Sequence, residues 1–235
     1  MTTKTLLRST ICVFPLLLIA GARAQSMNID LDIFAGDPSN GNGAPSPAFA
    51  GAAGQPGYWN RLRAGSSFPQ SIADTSGHTT GIQFSIPIGA GSSGGSNFPI
   101  NSGDYALLLN DYARVPDLMV FRFTGMRPGQ YRIYTYAVDA VGFSFPALVS
   151  IAGSSTPTQR VTGPMPGNTF VRGITHSVHE LLLSASTFEI EVRNEVIGPP
   201  NSSVNGFQIV AVPEPASLTV LSCLFALMAR RRRNL

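Results

Sequence analysis

The spacing most suggestive of chemistry in this sequence is H-x-x-H-E, formed by His176, His179 and Glu180. Metalloproteases place two histidines and a glutamate as H-E-x-x-H or H-x-x-E-H on a helix, so that both imidazoles reach one Zn²⁺. Neither order is present, and the residues around the motif lack helical periodicity. A metal-binding pair is one interpretation, and two ordinary histidines in a loop or at a strand edge is the favoured one.

A second candidate is the loop "DPSNGNG" from Asp37 to Gly43, which offers oxygen ligands and glycines in the manner of a Ca²⁺ loop. It lacks the full D-x-[DN]-x-[DN]-G spacing and the closing glutamate of such loops. A solvated turn is therefore the favoured interpretation. We expect no cofactor, with a structural Ca²⁺ as the one candidate and Asp37 as its weak candidate ligand.

Carboxylates that could hydrolyse a glycosidic bond are numerous. That reaction needs two of them at a separation of roughly 5 Å or 6.5–9.5 Å, one with a raised pKa. The sequence pattern places most of them at strand ends or at solvent-facing positions, so we assign no catalytic residue and expect no enzyme. The carboxylates in question are Asp104, Asp111, Asp117, Asp139, Glu180 and Glu195.

Aromatic side chains are the best indication of a ligand, because a flat ring can stack on the apolar face of a sugar. The candidate ligand-binding residues are Tyr58, Trp59, Tyr134 and Tyr136. Tyr134 and Tyr136 share a strand face with Arg132, so that face is wet or functional. In a domain of this size most aromatic residues belong to the core, and that is the alternative for each of the four.

The elements that position these residues are predicted to be β-strands. Apolar and polar residues alternate over 188–193, which indicates a half-buried antiparallel strand. No helical periodicity is sustained, and two stretches rich in Gly and Ser, 36–57 and 89–103, are expected to be long surface loops. Short runs bounded by turn residues predict further strands at Met27–Phe34, Thr80–Ile88, Tyr105–Asn110, Phe145–Ile151 and Gly206–Ala211. This pattern predicts an all-β sandwich or barrel.

A hairpin is predicted over residues 117–139. Apolar residues alternate on both sides of the segment Arg127-Pro128-Gly129-Gln130. Pro128 favours the first central position of a type II turn, and Gly129 can adopt the positive φ of the second. The two flanking runs are therefore expected to pair as neighbouring antiparallel strands.

The N-terminal residues 1–24 predict a secretory signal peptide. Two basic residues precede an apolar run from Ile11 to Ala20, and a small-x-small site ends at Ala24. Cleavage after Ala24 leaves Gln25 as the new N-terminus. We therefore expect export through the Sec translocon and an extracytoplasmic working domain.

The last 24 residues, 212–235, resemble a PEP-CTERM sorting signal. An uncharged stretch, 216–229, follows the Pro-Glu-Pro motif; as a helix it would be about 21 Å long against about 30 Å of hydrocarbon. The resemblance implies a short, transient inner-membrane helix with cytoplasmic arginines. It also implies recognition by the transpeptidase exosortase, followed by release or attachment at the cell surface. The residues matching this motif are Pro213, Glu214, Pro215, Arg230, Arg231, Arg232 and Arg233.

The charge of the chain is concentrated in these end segments. The whole sequence has a net charge of +3 and a pI near 9.1. Between residues 25 and 212, however, there are nine arginines, no lysine and twelve carboxylates, so the net charge is −3. Nucleic acid is therefore not an expected partner. Both cysteines lie in the end segments, which excludes disulfides and thiolate chemistry from the exported part.

Residues 25–211 are predicted to form one β-sandwich domain. The phrases "GQPGYWNRL", "DTSGHTTGIQFSI", "GMRPGQYRIYTYA" and "NGFQIVAVPEP" resemble those of secreted PEP-CTERM proteins with galactose-binding-type jelly-roll bodies. The resemblance implies a jelly roll, without a known activity. We expect a non-enzymatic protein of the cell surface or extracellular matrix, with extracellular polysaccharide as its candidate ligand. The alternatives are a secreted carbohydrate-active enzyme and a purely structural or adhesive protein.

Overall fold

The computed structural model describes residues 25–34, 38, 41–138, 145–196 and 201–213. Over these ranges the chain forms fourteen strands and one short helix, which confirms the predicted all-β class. The elements are β1 Met27–Asp32, β2 Trp59–Arg63, β3 Gln70–Ala73, β4 Thr79–Ile88, β5 Ser93–Gly95, α1 Asp104–Leu109, β6 Asp111–Val115, β7 Leu118–Thr124, β8 Gly129–Tyr136, β9 Ala147–Ile151, β10 Gln159–Val161, β11 His176–Leu183, β12 Thr187–Asn194, β13 Ser202–Val204 and β14 Gly206–Val212.

The strands form two large sheets and one small one. A five-stranded sheet has the order β11-β8-β14-β1-β2, and a six-stranded sheet has the order β10-β9-β12-β7-β4-β3. The small sheet has the order β13-β6-β5. Among the described strand pairs, all are antiparallel except β1 with β2, which run parallel.

The two large sheets pack face to face around one apolar core. Phe207 on β14 projects from the five-stranded sheet into a group of rings on the six-stranded sheet. Its centroid lies 5.0 Å from that of Phe121, 5.8 Å from Phe123 and 6.2 Å from Phe84. All four rings are fully buried. Burial of such rings contributes roughly 1.5–3 kcal/mol each, which makes this cluster a main source of sandwich stability.

The predicted hairpin over residues 117–139 is wrong, although both of its strands are present. β7 pairs with β4 and β12, whereas β8 pairs with β11 and β14 in the other sheet. Residues 125–128 therefore lead from one sheet to the other, with Met126 buried and the other three residues exposed. Gly125 has a φ of 77° at the start of this crossing. The Tyr131 hydroxyl donates a hydrogen bond of 2.7 Å to the Arg127 carbonyl and fixes the end of the crossing.

The strand predicted at Tyr105–Asn110 is also wrong, because the structure places helix α1 over most of it. The helix buries Ala106, Leu108 and Leu109 on one side. The Asp104 carboxylate in its first turn accepts hydrogen bonds from the Ser46 backbone N–H at 2.7 Å and from its hydroxyl at 2.8 Å. A carboxylate at this end also complements the helix dipole.

The outward face of the five-stranded sheet is covered over half its width. Parallel pairing of β1 with β2 requires a long crossover connection, and its described residues 41–57 lie on this face. The Ala52 N–H donates to the Tyr136 hydroxyl at 2.7 Å, and the Ala53 N–H donates to Gln208 Oε1 at 3.0 Å. The Trp59 indole donates to the Phe49 carbonyl at 3.0 Å. These bonds fasten the crossover to the sheet, so β1 is buried on both faces.

Among the residues that the structure describes, no helix combines the length and the apolar character needed to cross a membrane. The predicted signal peptide, the uncharged stretch 216–229 and the four terminal arginines lie outside the described residues. Pro213, the first residue of the predicted sorting motif, is exposed at the end of the last described segment.

Candidate functional site

An open cleft lies on the uncovered half of the same sheet face, over β8 and β11. The antiparallel register places Arg132 opposite Glu180 and Tyr134 opposite Val178, and all four side chains point outward. The cleft has a volume of about 390 Å³. Its lining residues are Arg132, Tyr134, Thr156, Arg172, Val178 and Glu180. The shared outward face of Arg132 and Tyr134 agrees with the sequence prediction.

The cleft carries more positive than negative charge. Arg132 forms an ion pair of 3.2 Å with Glu180, and both side chains are nearly half exposed. Arg172, in contrast, contacts the neutral Gln159 side chain, with its Nη2 and Nε atoms 3.0 and 3.2 Å from Gln159 Oε1. Gln159 in turn donates to the Val178 carbonyl, which fixes it against β11. The lining residues therefore supply two guanidinium groups and one carboxylate, a net charge of +1.

The floor of the cleft adds an aromatic surface. The half-buried Tyr134 ring lies 5.8 Å from the His176 ring. His176 is held neutral at pH 7, because burial and the Arg172 charge lower its pKa to about 4. Two cationic side chains, an aromatic ring and the Thr156 hydroxyl thus face one solvent-filled space. Such a set can stack on the apolar face of a sugar while binding its polar and anionic substituents.

The four aromatic residues predicted as ligand contacts do not form one platform. Tyr58 is exposed and Tyr134 lines the cleft, but Trp59 and Tyr136 are only 2% and 0% exposed. Trp59 and Tyr136 belong to a second apolar cluster under the crossover, beside Phe49 and Phe170. Their expected ligand role is therefore corrected: their rings anchor the crossover on the outward sheet face, because residues 41–57 cover them.

The predicted alternative of a His176–His179 metal pair is not supported by the strand geometry. Residues three apart on a strand point to opposite faces. His176 lies opposite Tyr136 on the outward face, whereas His179 lies opposite Ile133, which faces the apolar core. Burial lowers the pKa of His179 as well. The two imidazoles cannot bind the same ion, and both behave as buried neutral side chains.

A cluster of three buried carboxylates lies elsewhere on the covered half of the sheet face. Asp30 and Asp32 alternate on the outward side of β1, and Asp111 begins β6 directly after helix α1. All three residues are 0% exposed. One oxygen from each lies within 4.8 Å of the others. Asp32 forms an ion pair with Arg61, which is about one-third exposed and lies on the neighbouring strand β2.

Burial dominates the electrostatics of this cluster. Desolvation raises the pKa of Asp30 well above its usual range, and the charge of Asp32 raises it further. Desolvation likewise raises the pKa of Asp111, with added repulsion from Asp30 and then Asp32. Hydrogen bonding to Asp32 raises the pKa of Arg61. One guanidinium faces three carboxylates, so the cluster favours a proton or an added cation.

The other carboxylates singled out in the sequence have separate roles. Glu195 pairs with Arg160 at 2.8 Å, Glu180 pairs with Arg132, and Asp104 holds the crossover at Ser46. Asp117 is exposed at the start of β7. Asp37, the weak Ca²⁺ candidate, and Asp139 lie outside the described residues.

Sequence reasoning missed Asp30 and Asp32. In "MNIDLD" the apolar residues Met27, Ile29 and Leu31 alternate with polar ones, which is typical of a strand with one solvent-facing side. The polar side is buried instead, because the crossover and helix α1 lie on it. Two carboxylates at i and i+2 within a strand pattern were the one local signal that could have identified them.

No protein-family model matches this chain, and no curated protein matches it. Among solved structures, it is similar to a Bacteroides uniformis β-glucuronidase 2 at 13% identity and a TM-score of 0.42, covering 72% of this chain and 17% of that one. It is similar to the carbohydrate-binding module Xyl-CBM35, solved with a disaccharide containing glucuronic acid, at 11% identity and a TM-score of 0.29, covering 43% and 74%. A third similarity is to TmCBM61, solved with β-1,4-galactotriose, at 11% identity and a TM-score of 0.30, covering 56% and 89%. Because each of these TM-scores is below 0.5, the function proposed for this chain rests on its own geometry.

Proposed function

We propose that this chain is an exported, non-enzymatic surface or matrix protein that binds acidic polysaccharide through the cleft on β8 and β11. The observation that carries the proposal is the position of Arg132, Tyr134 and Arg172 around one open space of about 390 Å³. A volume of this size accommodates one or two sugar rings, and ligand sites of this kind combine aromatic surface with a few polar groups.

The charge of the cleft favours an acidic glycan over a neutral one. Glu180 neutralises Arg132, but the contacts of Arg172 in the described part of the chain are neutral. A guanidinium can bind a carboxylate or sulfate group through two parallel hydrogen bonds. Arg172 is therefore the residue that would select a charged sugar, with Tyr134 stacking on a neighbouring ring.

Binding without hydrolysis is supported by the distribution of carboxylates. Among the lining residues Glu180 is the single carboxylate, and it is already paired with Arg132. Glycosidases position two carboxylates across the scissile bond. The cluster of Asp30, Asp32 and Asp111 has the carboxylates but is fully buried, so a polysaccharide chain could not reach it.

Export and processing complete the proposal. The signal peptide ending at Ala24 and the motif at Pro213 would direct the chain through the Sec translocon to exosortase. The exposed position of Pro213, directly after β14, supports this, because a processing enzyme needs an accessible segment. The product would then be released or attached at the surface, where extracellular polysaccharide is present.

Affinity electrophoresis through gels containing either a uronate-rich or a neutral polysaccharide tests the binding proposal. We expect the uronate-rich gel to retard the full chain. Arg172→Gln should weaken binding roughly tenfold or more, since a hydrogen bond to a charged group contributes roughly 1.5–3 kcal/mol. Tyr134→Ala should weaken it by up to roughly tenfold, since an aromatic stacking contact contributes roughly 0.5–1.5 kcal/mol. The matched control is Arg193→Gln, which removes an exposed arginine from the six-stranded sheet.

Three results would count against the proposal. Equal retardation in both gels would contradict the preference for acidic glycans, and full binding by Arg172→Gln and Tyr134→Ala would place the site elsewhere. The appearance of new reducing ends in the polysaccharide would contradict the non-enzymatic role. Retardation that weakens between about 50 and 500 mM salt is the expected behaviour of a partly exposed ionic contact.

A further inference from the structure

The carboxylates of Asp30 and Asp111 are short of hydrogen-bond donors. Asp32 accepts from the Phe34 and Gly43 backbone N–H groups, the latter at 2.8 Å, in addition to its ion pair with Arg61. Asp111 accepts one bond of 3.3 Å at Oδ2, from Ile33 N–H, and its Oδ1 has no partner among the described residues.

Asp30 is the most isolated of the three. In the described part of the chain neither of its oxygens has a hydrogen-bond partner, and both are inaccessible to solvent. A buried carboxylate without donors is costly, and native proteins almost always compensate it with a partner. The unpartnered oxygens of Asp30 lie in the same cluster as the unpartnered Oδ1 of Asp111. This arrangement needs a proton, a water molecule or a cation between the side chains.

The chemistry of the donors favours a cation, and their spacing is compatible with one. Ligand oxygens around Ca²⁺ lie at about 2.3–2.6 Å from the ion, so oxygens on opposite sides of it are roughly 4.6–5.2 Å apart. The cluster brings one oxygen from each aspartate within 4.8 Å of the others. Zn²⁺ prefers nitrogen and sulfur ligands, whereas these donors are all oxygens. Mg²⁺ requires a tighter, near-octahedral shell and tends to retain its waters.

The geometry points to a divalent cation site, with Ca²⁺ as the expected ion, bound by Asp30 and Asp111 and completed by Asp32. Arg61 would remain on the outer side of Asp32 and balance its charge, as it does in this structure. The Arg61 side chain is about one-third exposed, whereas the Asp32 side chain that it pairs with is fully buried. This site is separate from the cleft on β8 and β11 and does not depend on polysaccharide binding.

A cation at this position would join two parts of the fold. Asp30 belongs to strand β1 of the five-stranded sheet, and Asp111 belongs to strand β6 of the small sheet. Between them the chain passes close to Asp111 at Gly41, where φ is 90° and a methyl group would lie 2.6 Å from the Asp111 backbone nitrogen. The ion would therefore act as a crosslink between β1 and β6 close to the crossover, and its main effect would be on stability.

Calorimetric titration and thermal unfolding of the full chain test this inference. The protein is first dialysed against EDTA and then titrated with CaCl₂ alone, with MgCl₂ and NaCl at matched ionic strength as comparisons. We expect one Ca²⁺ per chain and an increase in Tm of roughly 5–10 °C at a Ca²⁺ concentration 100-fold above Kd. Asp30→Asn should abolish the Ca²⁺-dependent increase, whereas Asp117→Asn, an exposed aspartate, should preserve it.

Asp30→Asn also separates loss of binding from loss of folding. Because the substitution removes an uncompensated buried charge, we expect its Tm in EDTA to equal or exceed that of the wild type. The inference is overturned if the wild-type Tm is the same in EDTA and in Ca²⁺ and no heat of binding is detected. It is also overturned if Asp30→Asn keeps the full Ca²⁺ response, since the ion would then bind elsewhere. If Asp30→Asn fails to fold, elemental analysis and the EDTA response of the wild type decide the question.

Discussion

The stability of this protein should decrease between pH 7 and pH 5 because His176 must be neutral in the fold. Its side chain packs among Tyr134, Tyr136 and Phe170, and the residue is 6% exposed. Burial is the main cause of its lowered pKa, and the nearby Arg172 charge is the second. In the unfolded chain the same imidazole has a pKa of about 6.5.

The sign and size of the effect follow from these two pKa values. A histidine with a lowered pKa binds fewer protons in the folded than in the unfolded state, so its contribution to stability is present above about pH 6.5 and lost as pH falls toward 4. With a folded pKa of about 4, the loss between pH 7 and pH 5 is about 2 kcal/mol. His179, whose pKa is also lowered by burial, adds to the loss.

Urea unfolding at pH 7, 6 and 5 measures this loss for the wild type and two variants. The chain has three histidines, and the third, His78, is exposed with 82% of its side chain accessible. We expect His176→Gln to reduce the pH-dependent loss by about 2 kcal/mol and His78→Gln to leave it unchanged. Asp30 and Asp111, whose pKa values are raised, change the free energy of unfolding in the opposite direction as the pH falls. Their effect is the same in all three proteins and cancels in the comparison. An unchanged pH dependence in His176→Gln would refute the reasoning.

Two further predictions concern the sheet crossing and the processing of the chain. Tyr131→Phe removes the bond to the Arg127 carbonyl and should lower the free energy of unfolding by about 1 kcal/mol, whereas Tyr58→Phe at an exposed position should not; equal effects in chemical denaturation would contradict the role of the crossing. Mass spectrometry of the protein recovered from its producer should show a chain that begins at Gln25 and lacks Arg230–Arg233, and an intact chain of 24.9 kDa would contradict the predicted processing.

Strand positions could be predicted from the sequence because alternation is a local property. Met27–Phe34, Thr80–Ile88 and Gly206–Ala211 each overlap an observed strand, as does the alternating run at 188–193. Alternation shows which side chains share a face of a strand. It does not show which other strand pairs with that strand in the sheet. That is why β7 and β8 were expected to pair, although the short link between them crosses to the opposite sheet.

Helix α1 could not be distinguished from a strand for a related reason. With six residues the helix has fewer than two turns, so a repeat of apolar residues every 3.6 positions cannot be recognised in its sequence. A short apolar run such as "YALLL" fits a buried strand equally well. Its identity is decided by tertiary contacts, including the bonds from Ser46 to the Asp104 carboxylate, which come from a segment 58 residues away in the sequence.

Both candidate sites lie on the outward face of the five-stranded sheet, but they differ in how much of each could be predicted from the sequence. Over β8 and β11 this face is open. Arg132 and Tyr134 therefore point outward, as the alternation of residues predicts, and these polar side chains contact solvent. Over β1 the crossover covers the face, and the same alternation places Asp30 and Asp32 in the interior. A buried carboxylate is destabilising unless something compensates it. Asp32 is compensated by Arg61 and by two backbone N–H groups, whereas Asp30 has no hydrogen-bond partner in the described part of the chain. The burial of Asp30 is therefore the reason for proposing a cation at this face, whereas the same aspartate on an open face would suggest none.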